Sequence, residues 1–302
     1  MASLEHIERL IKAEHSNPRE FLGHHRTSIN GTDSIVIRAL APDASDARIV
    51  PDTPGVPTIH MNRIHESGLF EAVVEQPKGV LPYKIRLTDH QGIVTERHDP
   101  YAFPPLVSDH DLHLFAEGRL FKAYETLGAH ARTVDGVVGI HFVVWAPNAK
   151  RVSIVGEFNR WDGRSHQMNG REATGLWELF IPNLPHGTLY KYEIRTRNQE
   201  VPMLKADPYA FAAELRPRTA SIIHDLSTYR WNDGNWMETR SRFDPLTAPM
   251  SIYEVHLGSW MRVLEEGGRW LTYRELADKL LHYVKHMGYT HIELMPVTEH
   301  PF

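Results

Sequence analysis

A long internal repeat is the feature of this 302-residue sequence that most constrains its fold. Five short segments recur in the same order, about 105 to 108 positions further along the chain. The pairs are 21–25 with 126–130, 39–43 with 144–148, 68–71 with 175–178, 83–85 with 190–192, and 99–103 with 207–211. This period is too long for a solenoid repeat and has the size of a whole domain. The sequence therefore predicts two tandem copies of one domain.

Each copy has the pattern of an all-β domain. The β-branched and aromatic runs 34–40 and 139–145 each end at Ala-Pro, where proline cannot donate to a sheet. Residues 151–155, 176–181 and 190–195 form further short runs, separated by turn residues. Short strands at this spacing are typical of a β-sandwich. The first copy follows an amphipathic stretch that predicts a helix over about residues 4–15.

The last part of the chain has a different periodicity. A strand pattern over 251–257 precedes Thr272 and Glu275, which form a capping-box motif at the start of a helical pattern. Gly288 is suited to end that helix, and a second strand pattern follows over 291–295. Strand, helix and strand in this order predict a parallel βαβ unit. Because parallel sheets normally have more strands, we expect the incomplete start of a larger α/β domain.

Composition excludes several classes of protein. The chain is 41% hydrophobic and 24% charged, as in globular proteins, and its net charge of -5 gives no basic patch for nucleic acid. The absence of cysteine excludes disulfides and thiolate metal sites, and fits a cytoplasmic protein. We recognise no signal peptide or apolar run of membrane-spanning length. The 20 histidines show no metal-ligand spacing, so we predict neither a metal nor a cofactor.

These patterns predict four regions. Residues 1–112 form a β-sandwich module with its leading helix, and residues 113–225 form a second β-sandwich module. Residues 226–248 are a linker. Residues 249–302 are the start of the α/β domain.

Three segments resemble the N-terminal portion of 1,4-α-glucan (glycogen) branching enzymes of the α-amylase superfamily. The first is Trp-Ala-Pro-Asn-Ala at 145–149 with Val-Gly-Glu-Phe-Asn-Arg-Trp-Asp-Gly-Arg at 155–164. The others are 250–260, Met-Ser-Ile-Tyr-Glu-Val-His-Leu-Gly-Ser-Trp, and 291–302, which contains Met-Pro-Val-Thr-Glu-His-Pro. The resemblance implies a mainly β fold: two tandem immunoglobulin-like sandwiches, the second of glycogen-binding type, then the first β-α-β of a (β/α)8 barrel.

The same resemblance implies a function. Such enzymes cleave α-1,4-glucan chains and transfer the segment to a 6-hydroxyl, forming α-1,6 branches through a retaining mechanism with two carboxyl groups. In the family's order those carboxyl groups follow the second barrel strand, so we assign no catalytic residue and expect the chain as given to be inactive. The partner implied is an α-1,4-glucan such as glycogen, with no nucleic acid or membrane.

Two alternatives remain open. A debranching or trehalose-releasing hydrolase of the same superfamily also has a β-sandwich before its barrel. A non-catalytic glucan-binding protein would consist of the two sandwiches alone, and the βαβ pattern argues against it.

Trp161, Asn159 and Lys191 are the candidate glucan-binding residues. Trp161 lies in a polar turn, where an indole can stack on a glucose ring; the alternative is packing at the sandwich edge. Asn159 can hydrogen-bond a sugar hydroxyl or serve the turn locally. Lys191 matches the Tyr-Lys-aromatic strand of the binding module, or is an ordinary exposed strand lysine.

Other positions predict structural roles. Trp145 and Trp177 alternate within strands and are predicted core residues. Residues 51–55 of the first copy match the Trp161 turn but include no aromatic residue. In the second copy, residues 197–200 contain no further tryptophan that could contact a sugar. Asp99 and Asp207 precede prolines and predict turns. Four polar residues near the two barrel strands either line a cleft or, as we favour, are buried and hydrogen-bonded; they are Glu254, His256, Glu299 and His300.

Overall fold

The computed structural model describes residues 4–12, 14–29, 31–75, 82–171, 174–196 and 201–297. The chain is mainly β and divides between residues 229 and 230 into two compact units. The first unit contains both copies of the repeat, and the second contains the βαβ segment. Within the described ranges, no helix has the length and apolar character needed to cross a membrane.

The first copy forms two antiparallel four-stranded sheets. Its strands are β1 (Gly23–Ile29), β2 (Thr32–Leu40), β3 (Ala44–Pro51), β4 (Ile59–His60), β5 (Asn62–His65), β6 (Leu69–Glu75), β7 (Tyr83–Asp89) and β8 (Val94–His98). One sheet has the order β1-β2-β6-β5 and the other β4-β3-β7-β8. Ile37 on β2, Ile49 on β3 and Phe70 on β6 belong to one buried apolar cluster, so the two sheets share a core.

The second copy repeats this arrangement. Its strands are β9 (Gly128–Val134), β10 (Val137–Trp145), β11 (Ala149–Gly156), β12 (Asn169–Gly170), β13 (Leu176–Pro182), β14 (Leu189–Thr196), β15 (Met203–Lys205), β16 (Ala212–Ala213) and β17 (Ser221–Ile222). The sheets have the orders β12-β13-β10-β9 and β11-β14-β17-β16, with β15 added beside β14. Phe142 on β10, Ile154 on β11 and Tyr192 on β14 share a buried cluster between them.

Corresponding residues make corresponding contacts in the two copies. The Asp-Pro pairs begin turns, as the sequence predicts, and their carboxylates are also buried acceptors. Asp99 accepts the Tyr83 hydroxyl at 2.6 Å, and Asp207 accepts the Tyr190 hydroxyl at 2.7 Å. A buried carboxylate with a hydroxyl donor avoids an unsatisfied charge, so each Asp ties the last turn of its copy to a core strand.

The leading helix packs against the second copy as well as the first. Helix α1 (Leu4–Ile11) buries Leu10 completely, in the same apolar cluster as Leu69 of the first copy and Phe142 of the second. Gln167 donates its side-chain amide to the Leu10 carbonyl at 3.2 Å. The two copies therefore share a continuous core, whereas the sequence groups the helix with the first module alone.

A short helix lies between the copies and packs on the second one. Helix α2 (Asp109–Ala116) begins at Ser108, whose hydroxyl accepts the Asp111 amide at 3.1 Å. Its Leu112 and Phe115 pack on a small cluster that includes Leu127 and Val143. The connection between the copies is thus held on the second copy by apolar contacts.

One of the two predicted core tryptophans is not in the core. Trp177 is 5% exposed, as predicted. Trp145 is 55% exposed, so its prediction is wrong. Trp145 is the last residue of β10, and its indole N–H donates to the Thr174 carbonyl at 3.2 Å.

The second unit contains a parallel strand pair with a covering helix. Its elements are α3 (Gly234–Ser241), β18 (Ile252–Val255), α4 (Leu257–Trp260), β19 (Arg262–Val263), β20 (Arg269–Trp270), α5 (Tyr273–His286) and β21 (His291–Leu294). Strands β18 and β21 pair in parallel, as predicted. The strand predicted over 251–257 is shorter because α4 begins at Leu257, and α3 lies inside the predicted linker.

Helix α5 starts and ends where the sequence predicts. The Thr272 hydroxyl accepts the Glu275 amide at 3.3 Å, and the Glu275 carboxylate accepts the Thr272 amide at 2.8 Å. The Arg269 guanidinium pairs with that carboxylate and, with the Thr272 bonds, lowers the Glu275 pKa to about 2. Gly288 has φ +81°, the left-handed conformation that ends a helix.

Candidate functional site

The turn that carries Trp161 has an unusual backbone. Strand β11 ends at Gly156, and a 3-10 turn spans Glu157–Asn159. Arg160 and Trp161 then have φ values of +54° and +61°, so two consecutive non-glycine residues are left-handed. Each such residue costs on the order of 1–3 kcal/mol and persists only where its surroundings fix it. The surroundings of Arg160 and Trp161 must therefore hold this conformation in place.

Hydrogen bonds hold the Trp161 ring in place on this turn. The Trp161 amide donates to the Gly156 carbonyl at 2.9 Å, and its indole N–H donates to the Glu157 carboxylate at 2.9 Å. The side chain is half-buried. Because the indole nitrogen already has its partner, the ring can offer a flat apolar face without leaving a polar atom unsatisfied.

Asn159 is buried and serves the turn. Its side-chain oxygen accepts the Gly156 amide at 3.0 Å, and its side-chain nitrogen donates to the Ile154 carbonyl at 2.8 Å and to Nδ1 of His166 at 3.0 Å. Burial, and then the nearby Arg97, lower the pKa of His166 to about 3, so its ring is neutral and can accept at Nδ1. The structure thus gives Asn159 the local role that the sequence left open.

The buried Arg151 side chain stabilises the Trp161 turn. Its guanidinium is buried, donates to the Gly163 carbonyl at 3.0 Å and to the Ser153 hydroxyl at 2.6 Å, and pairs with the Glu193 carboxylate. A Cβ at Gly163 would collide with that carboxylate, so a larger residue would displace the Glu193 side chain. The ion pair and Gly163 together fix the end of the Trp161 turn.

An open cavity of about 670 Å³ lies beside Trp161. Its polar walls include Asp162, Arg164, Glu193 and Arg195. An aromatic face next to groups that donate and accept hydrogen bonds suits a ligand with apolar ring faces and many hydroxyls. This arrangement has the chemistry expected of a carbohydrate-binding surface.

Lys191 is not part of this cavity. It lies on β14 opposite Val155, is half-buried, and donates to the Thr219 hydroxyl at 2.8 Å. The structure therefore brings Trp161 and Asn159 into one turn and leaves Lys191 outside the cavity, where a sugar role for it stays a prediction.

The first copy lacks the features that support the turn. Asp46 follows the β-bulge of β3 at the position where Arg151 follows the bulge of β11. Asp46 is partly exposed and pairs with Arg48 at 3.0 Å, so the first copy has no guanidinium at the position of Arg151. The copy with the aromatic turn is thus the copy with an arginine at this position.

Two of the four candidate residues of the second unit, Glu254 and His256, do not match the favoured interpretation. Glu254 and His256 are exposed, not buried, because they lie at the end of a strand with one neighbour. The His256 ring pairs with the Ser259 hydroxyl at 2.9 Å. Glu299 and His300 lie outside the described residues. In the part of the chain that the structure describes, no group of three or more potential ligands is placed to hold a metal ion.

Sequence reasoning missed Arg151, Glu193 and the leading segment as parts of this site. Arg151 alternates with the core residues Val152 and Ile154, so the strand pattern places it on the opposite face and gives no signal of its burial. Nothing in the sequence pairs it with a residue 42 positions later.

Two family models match separate parts of the chain. The N-terminal domain of the alpha-1,4-glucan branching enzyme GlgB matches residues 3–101. Carbohydrate-binding module 48, the isoamylase N-terminal domain, matches residues 126–210, which include the Trp161 turn. The boundary between them falls between the two copies of the repeat.

Relatives named 1,4-alpha-glucan branching enzyme GlgB match nearly the whole chain. The 1,4-alpha-glucan branching enzyme GlgB of Methylococcus capsulatus is 49% identical over 98% of the chain, and that of Trichormus variabilis is 45% identical over 99%. The chain spans 38% and 41% of their lengths, about two fifths of each relative.

Solved structures give a weaker likeness. A pullulanase from Anoxybacillus sp. LM18-11, crystallised with maltotetraose, is 19% identical over 92% of the chain and 38% of its own length. Its TM-score of 0.42 is too low to establish a shared fold.

Proposed function

We propose that this chain corresponds to the N-terminal part of 1,4-α-glucan branching enzymes. From this premise, we propose that the whole protein forms α-1,6 branches in an α-1,4-glucan. Identity of 45–49% over nearly the entire chain supports this proposal. The whole protein would cleave an α-1,4 chain, hold the segment on a carboxylate and transfer it to a glucan 6-hydroxyl. The family's catalytic carboxyl groups match no residue of this chain, so residues 1–302 alone would bind glucan without turning it over.

The contribution of this chain is to bind the glucan. The strained, hydrogen-bonded turn that presents Trp161 beside a polar cavity is the observation that carries this proposal. The indole face would cover the apolar face of a glucose unit, and the charged wall residues would exchange hydrogen bonds with its hydroxyls. Asn159 would act by fixing the shape of the turn. Lys191 would contact only a part of the glucan that extends beyond the cavity.

The architecture fits this role in outline. We propose that the paired sheets of each copy are immunoglobulin-like sandwiches, the second of glycogen-binding type, and that the β18-α5-β21 unit begins a (β/α)8 barrel. The sheet orders of the two copies and the parallel pairing of β18 with β21 support it. This proposal keeps the domain boundaries predicted from the sequence, which lie near residues 112, 225 and 248.

The proposed binding role predicts the effect of removing the indole. Trp161→Ala in the full chain should weaken maltoheptaose binding by about 1–3 kcal/mol, the range found when aromatic rings that stack on flat ligands are removed. Trp161→Phe should retain most of the affinity because it keeps a flat face. Titration calorimetry on each variant measures the change.

Trp145→Ala is the matched control, since Trp145 is an exposed tryptophan of the same copy that does not line the cavity. Its affinity should equal that of the unchanged chain. Equal affinity of the Trp161→Ala variant and the unchanged chain would show that the turn does not bind the glucan.

A further inference from the structure

The cavity beside Trp161 has a wall that comes from the other end of the chain. Ile11, Lys12 and Glu14 line it, although they precede the first copy and lie about 150 positions from Trp161. We propose that this leading segment is part of the glucan-binding surface and that Lys12 contacts the sugar. The inference rests on the proposed glucan-binding role of Trp161.

Several contacts fix the backbone of the leading segment on the second copy. Arg195 donates to the Lys12 carbonyl at 3.3 Å, and Arg195 itself lines the cavity. The Glu14 carboxylate pairs with Lys150 at 3.1 Å, and Lys150 lowers the pKa of Glu14. With Leu10 fully buried one turn earlier, the segment has anchors on both sides of the cavity wall.

The anchors leave the Lys12 side chain available. Its ammonium lies 3.4 Å from the Glu8 carboxylate, and both side chains are exposed, so this surface pair is weak. An ammonium has three donors, and Glu8 takes one of them. Because the backbone is already fixed, a bond from Lys12 to a ligand hydroxyl requires the ordering of the lysine side chain alone.

The leading segment therefore adds a polar contact to the aromatic one. Trp161 would cover the apolar face of a glucose unit. The Lys12 ammonium would donate to a hydroxyl of the same ligand from another wall of the cavity. Lys12 is thus a further binding residue for the glucan, and its exposed side chain adds affinity of the size of one hydrogen bond.

The test compares two alanine variants of the same helix in the full chain. Lys12→Ala should weaken maltoheptaose binding about threefold to tenfold, the range of one hydrogen bond. Glu8→Ala is the control, because it removes the solvent-side partner of Lys12 and Glu8 does not line the cavity. Its affinity should be unchanged. Both variants should keep the melting temperature of the unchanged chain, since the two side chains are exposed.

Trp161→Ala, measured in parallel, separates this inference from the proposed function. Weaker binding by Trp161→Ala with unchanged binding by Lys12→Ala overturns the role of the leading segment and leaves the Trp161 surface standing. Unchanged maltoheptaose binding by Trp161→Ala overturns the proposal that Trp161 and the leading segment form one glucan-binding surface, whatever the result for Lys12→Ala. Weaker binding by both variants, with Glu8→Ala unchanged, supports it.

Discussion

At the scale of the residue, buried polar groups around the Trp161 turn determine the shape of that turn. Arg151 has no solvent to replace a lost partner, and its Glu193 partner is itself mostly buried. Asn159 uses both ends of its amide within the turn. A backbone with two left-handed residues keeps its shape because the hydrogen bonds of Asn159 and of the Arg151 Nη atoms hold both ends of the turn.

The Arg151–Glu193 pair gives a stability prediction. Arg151→Met should lower the free energy of unfolding by about 3–5 kcal/mol, because it leaves the Glu193 carboxylate without its cation and the Gly163 carbonyl without its donor. The double variant Arg151→Met with Glu193→Leu should recover part of this loss, since it removes the unpaired charge. Urea unfolding measures each value.

Arg164→Ala is the control for this prediction. Arg164 pairs with Asp162 in the same turn, at 2.6 Å, but is half-exposed. The expected loss is about 0–1 kcal/mol. Equal losses for Arg151→Met and Arg164→Ala would contradict the supporting role of the buried pair.

His166 gives a pH prediction. Its pKa is about 3 in the folded chain and near 6.5 when unfolded, so the unfolded state binds more protons between these values. Stability is therefore lost as the pH falls through this range. Between pH 7 and 4.5 the loss from this group should be roughly 2 kcal/mol.

His166→Asn tests it, because the asparagine oxygen can replace Nδ1 as the acceptor for Asn159 and does not titrate. The difference in unfolding free energy between pH 7 and 4.5 should shrink by that amount. His113→Asn, at an exposed histidine of α2, should leave the pH dependence unchanged. Parallel pH profiles for the His166 variant and the unchanged chain would contradict a neutral, buried ring.

At the scale of the element, the second unit has strong local signals and little packing. Helix α5 has a complete capping box and buries Leu276, Leu280 and Val284. The β18-β21 pair has two strands, and Ile252 and Leu294 on them remain half-exposed. A two-stranded sheet is marginal in water, so its hydrogen bonds are expected to open easily.

Hydrogen exchange should show this difference directly. Amides of Ile252–Val255 should exchange fast, and those of Ala149–Gly156 should be protected by the five-stranded sheet and its shared core. The same sample contains both strands, so each is the control for the other. Equal protection of the two strands would contradict the expectation.

At the scale of the whole molecule, the first copy has a core of its own between its sheets, and a second cluster joins it to α1 and the second copy. Leu10, Leu69 and Phe142, from the leading helix and both copies, lie in one cluster. A segment of residues 113–225 alone would expose the apolar side chains that the first copy and α1 cover. The full chain is therefore the right molecule for binding experiments.

Leu10→Ala tests the shared core. It should lower the free energy of unfolding of both copies by about 2–5 kcal/mol, as for other buried leucines. Leu226→Ala, the same change at an exposed leucine, should cost little. Urea unfolding followed by tryptophan fluorescence measures both. A loss no larger for Leu10→Ala than for Leu226→Ala would mean that α1 is not part of the core.

The sequence by itself determined the local elements and their repetition. The period of about 105 residues, the Ala-Pro strand ends, the Asp-Pro turns and the capping box at Thr272 are local patterns, and the structure has each of them. These features depend on backbone geometry and short-range hydrogen bonds, which a few neighbouring residues fix. Trp161 stood out for the same reason, as an indole in a polar turn.

Only the tertiary structure decided which distant residues meet. Trp145 and Trp177 lie on paired strands of one sheet, yet the first is exposed and the second is buried. Asn159 is buried against His166, seven positions further along the chain. The Arg151–Glu193 pair and the wall formed by Lys12 join residues whose separation in the sequence carries no periodic signal. Burial and ion pairing are properties of the packed chain, so no local pattern encodes them.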